Sequence, residues 1–106
     1  MSLERVIKAL VSLGLERMDA EVYVYLAKKG PKKGVDVAKA LNYNKKKVYA
    51  SLKNLRTKGL VSKDRTIFSA LPFEEAFDLL IQMKKERAQA MHESREELLT
   101  TWETKD

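Results

Sequence analysis

The stretch VDVAKALNYNKKKVYASLKNLRTKG, residues 35–59, decides how the rest of the chain is read. Val37, Ala38 and Leu41 fall on one face of a short helix over residues 35–41. Asn42, Tyr43 and Asn44 interrupt that pattern. Asn44 suits the N-cap of the next helix, because its side-chain oxygen can accept from the backbone N–H groups of the first turn. Val48, Leu52 and Leu55 then recur at i, i+4 and i+7 over residues 45–58, and Gly59 ends the helix. Two such helices joined by three residues make a helix-turn-helix.

Upstream, Leu3, Val6, Ile7, Leu10 and Leu13 share one helical face, and Gly14 supplies the stop. A second helix is predicted over residues 16–29, with Met18, Val22, Tyr23, Leu26 and Ala27 inward. Gly30-Pro31 ends it, since proline cannot continue the hydrogen-bond ladder. Downstream, residues 60–63 and 66–70 are short and rich in β-branched or aromatic side chains, which predicts a two-stranded hairpin with Asp64-Arg65 at its tip. Pro72 opens a last helix whose first turn holds Glu74 and Glu75, opposite in sign to that end of the helix dipole. No break is evident before about Trp102, so this helix is expected to be a rod of about 45 Å. The expected fold class is mainly α: a winged helix-turn-helix over residues 1–72 with a short β-hairpin, followed by a long C-terminal dimerisation helix over residues 73–106.

Composition narrows the chemistry. A chain of 106 residues with 44% hydrophobic content has room for one packed domain. It has no cysteine, hence no disulfide, thiolate metal site or cysteine nucleophile. No apolar run approaches the roughly 20 residues of a membrane span. The opening Met1-Ser2-Leu3-Glu4-Arg5 is charged where a signal peptide would be apolar, so a cytoplasmic location is expected. His92 is the single histidine and has no acid or nucleophile motif around it. The four glycines are scattered, and no metal-ligand spacing occurs. No enzyme activity, cofactor or metal is expected, and no small-molecule ligand can be identified.

The charge is unevenly divided. Residues 1–72 carry 16 Lys or Arg against 6 Asp or Glu, while residues 73–106 carry 5 against 9. A basic body with an acidic tail suggests that the body meets a polyanion; a lysine-rich solubility surface is the plain alternative.

With this order of elements in place, the chain resembles the winged-helix domain of the TrmB-type archaeal transcriptional regulators. The resemblance is carried by Leu13-Gly14-Leu15, Asp19-Ala20-Glu21-Val22-Tyr23, Gly30-Pro31, Val37-Ala38, Lys47-Val48-Tyr49, Leu52, Leu55, Lys58-Gly59-Leu60-Val61 and Leu71-Pro72-Phe73-Glu74-Glu75-Ala76. Many members of that family carry a C-terminal sugar-binding domain. About thirty residues follow the hairpin here, so that domain and its ligand are not part of what the resemblance implies. The hairpin tip is also shorter than the family's usual basic wing, which weakens any minor-groove role for Lys63 and Arg65.

In a helix-turn-helix the N-terminal part of the second helix enters the major groove. That part holds Lys45, Lys46 and Lys47, whose cations oppose the helix macrodipole by about 0.3–1 kcal/mol each. Phosphates beside that turn would offset the cost. The candidate DNA-binding residues are these three lysines with Tyr49, Lys53, Asn44, Asn42, Lys33, Lys63 and Arg65. Lysine fits phosphates better than bases, so a large backbone contribution with modest base specificity is expected on double-stranded DNA. In the last helix, Phe77, Lys84, Met91 and Leu98 recur every seven residues, with Leu80, Arg87, Ser94 and Thr101 as partner positions. This heptad is apolar at its ends and polar in the middle. Its first three turns are expected to pack on the first helix and the remainder to pair with a second copy. Phe77, Leu80, Met91, Leu98 and Trp102 are the candidate dimerisation residues. The function expected is a dimeric regulator binding DNA specifically or semi-specifically. The alternatives are a sequence-tolerant DNA packager and a winged helix that docks a protein partner.

Overall fold

A computed structural model describes residues 3–104. Six helices and three short strands follow one another as α1 (Leu3–Ser12), α2 (Arg17–Lys29), β1 (Lys32–Lys33), α3 (Gly34–Leu41), α4 (Lys45–Thr57), β2 (Val61–Asp64), β3 (Ile67–Ala70), α5 (Phe73–Glu93) and α6 (Arg95–Thr104). The mainly helical winged helix-turn-helix expected from the sequence is the observed fold.

One core unites the body. Leu10 of α1, Val22, Tyr23 and Leu26 of α2, Val37 of α3, and Val48, Leu52 and Leu55 of α4 are all buried, together with Leu60 and Phe68 of the wing. Met18 and Leu41 are half-buried. Ala27, expected inward, is exposed; Ala20 and Val24 take up the inner face of α2 instead. The reason is that α2 is wrapped by α1 on one side and by the wing on another, so its buried stripe is wider than one face.

The wing differs from expectation in two respects. It has three strands, not two, in the order β1-β3-β2, all antiparallel. Lys32 pairs with Phe68 and Lys33 with Ile67. Two consecutive lysines give no alternation of apolar and polar residues, so this edge strand leaves no periodic signal in the sequence. The tip is also shifted by one residue: Asp64 still pairs with Ile67, leaving Arg65 and Thr66 as the turn. A two-residue hairpin turn needs positive φ, and Arg65 adopts +59° to supply it.

The C-terminal rod is broken at Ser94, between α5 and α6. The Ser94 hydroxyl donates to the Ala90 carbonyl at 3.0 Å, the back-bonding pattern that bends helices. Before the break, α5 joins the body through Ala76 and Leu80, both buried, and it reaches further than three turns. Lys84 Nζ donates to the Ser12 carbonyl at 3.0 Å, and Arg87 reaches toward the Leu13 carbonyl at 3.5 Å. The last turn of α1 has no basic residue of its own, so these two cations from α5 serve its negative end. The polar middle of the heptad is therefore used within the chain.

Candidate nucleic-acid interface

The helix-turn-helix is set by two asparagines with different tasks. Asn42 adopts φ +57° and closes α3, its N–H donating to the Ala38 and Lys39 carbonyls. Asparagine tolerates this left-handed conformation better than most residues. Asn44 caps α4, its side-chain oxygen accepting from Lys46 N at 2.8 Å and Lys47 N at 3.4 Å. Such a cap stabilises by about 1 kcal/mol. Both residues are exposed, so the capping roles leave them on the same surface as the helix tip.

Beyond the cap, α4 divides cleanly. Val48, Ser51, Leu52 and Leu55 are buried, while Lys45, Lys46, Lys47, Ala50, Lys53, Asn54 and Thr57 face outward. Lys47, Ala50 and Asn54 share a shallow depression with Glu16 and Met18 at the entry to α2. Lys45 and Lys46 stand clear of it, and among the described residues no ion pair engages any of the three lysines. Uncompensated cations at a positive helix end cost stability in the free protein.

Two polar connections hold this surface from behind. The Ser51 hydroxyl on α4 donates to Asp19 on α2 at 2.5 Å, with both side chains under 5% exposed, at 3% and 4%. Sequence reading noted Asp19 only within a family motif and missed Ser51. The available signal was a serine on the apolar side of α4, one residue before Leu52. The second connection runs along the surface. Arg17 donates to both oxygens of Glu4 at 2.7 and 2.8 Å and to Glu21 at 3.2 Å, and the Tyr43 hydroxyl donates to Glu21. The Arg17 guanidinium holds the Glu4 carboxyl below its ordinary range, and the bond to Glu21 raises the Tyr43 phenol. Tyr43, placed in the turn, is thereby tied to α1 through α2. Elsewhere the Tyr23 hydroxyl donates to the Leu71 carbonyl at 2.5 Å, and burial pushes that phenol up to about 12.

Tyr49 is a strut with one open edge. Its ring meets Phe68 edge-on at 6.1 Å and lies directly across Gly34, yet the residue remains 39% exposed. A Cβ on Gly34 would stand 2.6 Å from the tyrosine Cζ. Gly34→Ala should therefore lower stability by about 1–3 kcal/mol, as overpacking does. Adding Tyr49→Ala should recover part of that loss, giving a coupling above ~0.5 kcal/mol in a double-mutant cycle followed by thermal melting. Strictly additive losses would show that the ring is not the obstruction.

The remaining candidates lie around this core. Lys33 is exposed on β1 beside the start of α3. Lys63 lies over the Phe68 ring at 5.6 Å, and Arg65 occupies the exposed wing tip. Of the dimerisation candidates, Leu80 is only 2% exposed and belongs to the domain core, and Phe77 stacks on Phe73 and is half-buried. Met91, Leu98 and Trp102 are open to solvent in the single chain.

Comparison with known proteins agrees with this architecture. A protein of Methanocaldococcus jannaschii, described as uncharacterized, is 29% identical, with 80% of this chain and 71% of the relative covered. A solved structure described as a possible transcriptional regulator from Methanosarcina mazei Go1 superposes with TM-score 0.64 at 18% identity, covering 92% of this chain and 88% of that one. A MarR-like transcriptional regulator from Thermotoga maritima gives 0.54 at 18% identity, with 99% of each chain covered. The family described as sugar-specific transcriptional regulator TrmB matches residues 10–74, more than half of the sequence. With α2 through β3 and most of the motifs falling inside that match, the chain belongs to the TrmB family of transcriptional regulators, not to a family of enzymes.

Proposed function

We propose that this regulator binds duplex DNA as a homodimer, with the N-terminal turn of α4 set against the phosphates of a major groove. The observation that carries the reading is the row Lys45-Lys46-Lys47, three exposed cations without ion-pair partners at a helix end that disfavours them. Lys53 continues the face, Lys33 extends it along β1, and Lys63 and Arg65 flank it from the wing. Tyr49, Asn42 and Asn44 contribute to it mainly by fixing the shape of the reading surface.

The outward face of α4 offers few bidentate base readers. Asn54 is its single amide among the described residues, and it lies away from the tip. Discrimination between sequences is accordingly modest and draws on DNA shape as well as base edges. A dimer places two α4 helices about 34 Å apart, or a multiple of that, on one face of the duplex. The regulator works in the cytoplasm; no helix among the described residues is long and apolar enough to cross a membrane.

Selection from random duplex DNA, repeated across a salt series, tests the reading. A surviving preference for some duplexes near physiological salt is the expected result. A steep salt dependence with no preference would instead mark a packaging protein. Absence of binding even at low salt would leave a protein-docking module.

A further inference from the structure

The helix α6 buries no residue of its own chain. It nevertheless carries Leu98, Leu99 and Trp102, and Trp102 is 79% exposed. An uncovered apolar ridge of this kind marks a contact surface. On the body there is an apolar groove of about 510 Å³, between the start of α1, the end of α2 and the junction of β3 with α5. Leu3, Val6, Ala27, Pro31, Leu71 and Phe73 are among its walls, and Lys28 stands on its rim.

The ridge and the groove of one chain do not reach each other. The groove lies at the N-terminal end of α5, and Trp102 is 29 residues further along the rod, which at helical rise is roughly 40 Å. The molecule extends 53 Å along its longest axis, consistent with a rod that leads away from the body.

We propose that the groove receives α6 of a second copy of this chain, so that two rods run antiparallel and each Trp102 is seated beside the other chain's Phe73. This deepens the homodimer reading above and rests on it. Charge favours this occupant: α6 has Glu96, Glu97 and Glu103 against one Arg95, and the charged side chain that lines the groove is the cation Lys28. Geometry favours it as well. A groove at one end of the rod and a ridge at the other are self-complementary under a two-fold axis, so the contact closes on itself instead of propagating. Each docked tryptophan contributes roughly 150–250 Å², and two reciprocal dockings with their leucines approach the ~1,200 Å² at which specific interfaces begin.

Trp102 is the single tryptophan, so its fluorescence reports the contact directly. In the full chain at concentrations where sedimentation shows a dimer, emission should be blue-shifted and acrylamide quenching suppressed several-fold relative to dilute monomer. Ala27→Glu, at an exposed position on the groove wall, should restore quenching. The absence of cysteine allows a second measurement. Mixed Ala27→Cys and Thr101→Cys chains should form a disulfide with each other, while Thr101→Cys alone should not cross-link to itself. A dimer whose Trp102 stays freely quenched, or whose Thr101→Cys chains self-cross-link, overturns the antiparallel docking and leaves the dimer standing. A monomer at all concentrations overturns both.

Discussion

Replacing Lys45, Lys46 and Lys47 together by glutamine in both subunits is expected to lower duplex affinity by about 10⁵-fold near 0.1 M salt, with the fold intact. Each lysine that neutralises a phosphate releases condensed counterion, and the slope of log affinity against log salt changes by about 0.9 per contact. Three lost contacts in each of the two subunits flatten that slope by about 5.4, and the variant converges with the parent protein toward 1 M. Glutamine retains helix propensity close to that of lysine. Removing three cations from the positive end of α4 should, if anything, raise thermal stability by a few tenths of a kcal/mol per residue. Weaker binding together with an unchanged or raised Tm is a combination that general damage to the fold would not produce. Unchanged affinity and slope, measured by fluorescence anisotropy on one duplex, would mean that α4 does not lie against the phosphates.

The second large effect concerns the buried bond behind α4. Ser51→Ala leaves the Asp19 carboxylate buried without its hydroxyl donor, and Asp19→Ala leaves the serine hydroxyl without its acceptor. Either change should destabilise by about 2–3 kcal/mol, the range for a hydrogen bond to a charged group whose partner stays buried. For a domain of this size that corresponds to a fall in Tm of about 10–20 °C. Replacing both, as Asp19→Leu with Ser51→Ala, should return much of the loss, because no polar group is then left unsatisfied. A shift of only ~2 °C for either single replacement would show that water satisfies the remaining partner. The bond joins α2 to α4, so its loss should also loosen the reading surface before the whole domain unfolds.

What could be read from the sequence followed the strength of the local signals. Val48, Leu52 and Leu55 on one face, with Asn44 ahead of them and Gly59 behind, left α4 little freedom, and its observed span differs by one residue from that expected. Features that depend on contacts between distant segments were harder to see. The Asp19–Ser51 bond spans 32 residues and has no periodic signature. The lysine and arginine in the polar middle of the heptad carry no sequence sign of their task, yet Lys84 and Arg87 face the carbonyl end of α1. Ser94 gave no break signal comparable to proline or glycine, because a serine back-bond bends a helix without removing its donors. Leu80 fitted the heptad as well as Leu98 did. Only the packing of α5 on the body assigns the first to the core and leaves the second outside.

The strand β1 divides labour between main chain and side chain. Lys32 and Lys33 hold the sheet edge through backbone groups that every residue except proline possesses, so the wing accepts nearly any pair of side chains at these positions. The identity of the two residues is thereby released from architecture. It can be set by whatever lies outside the protein, and retuning the inner margin of the wing toward a different groove would leave the fold unaltered.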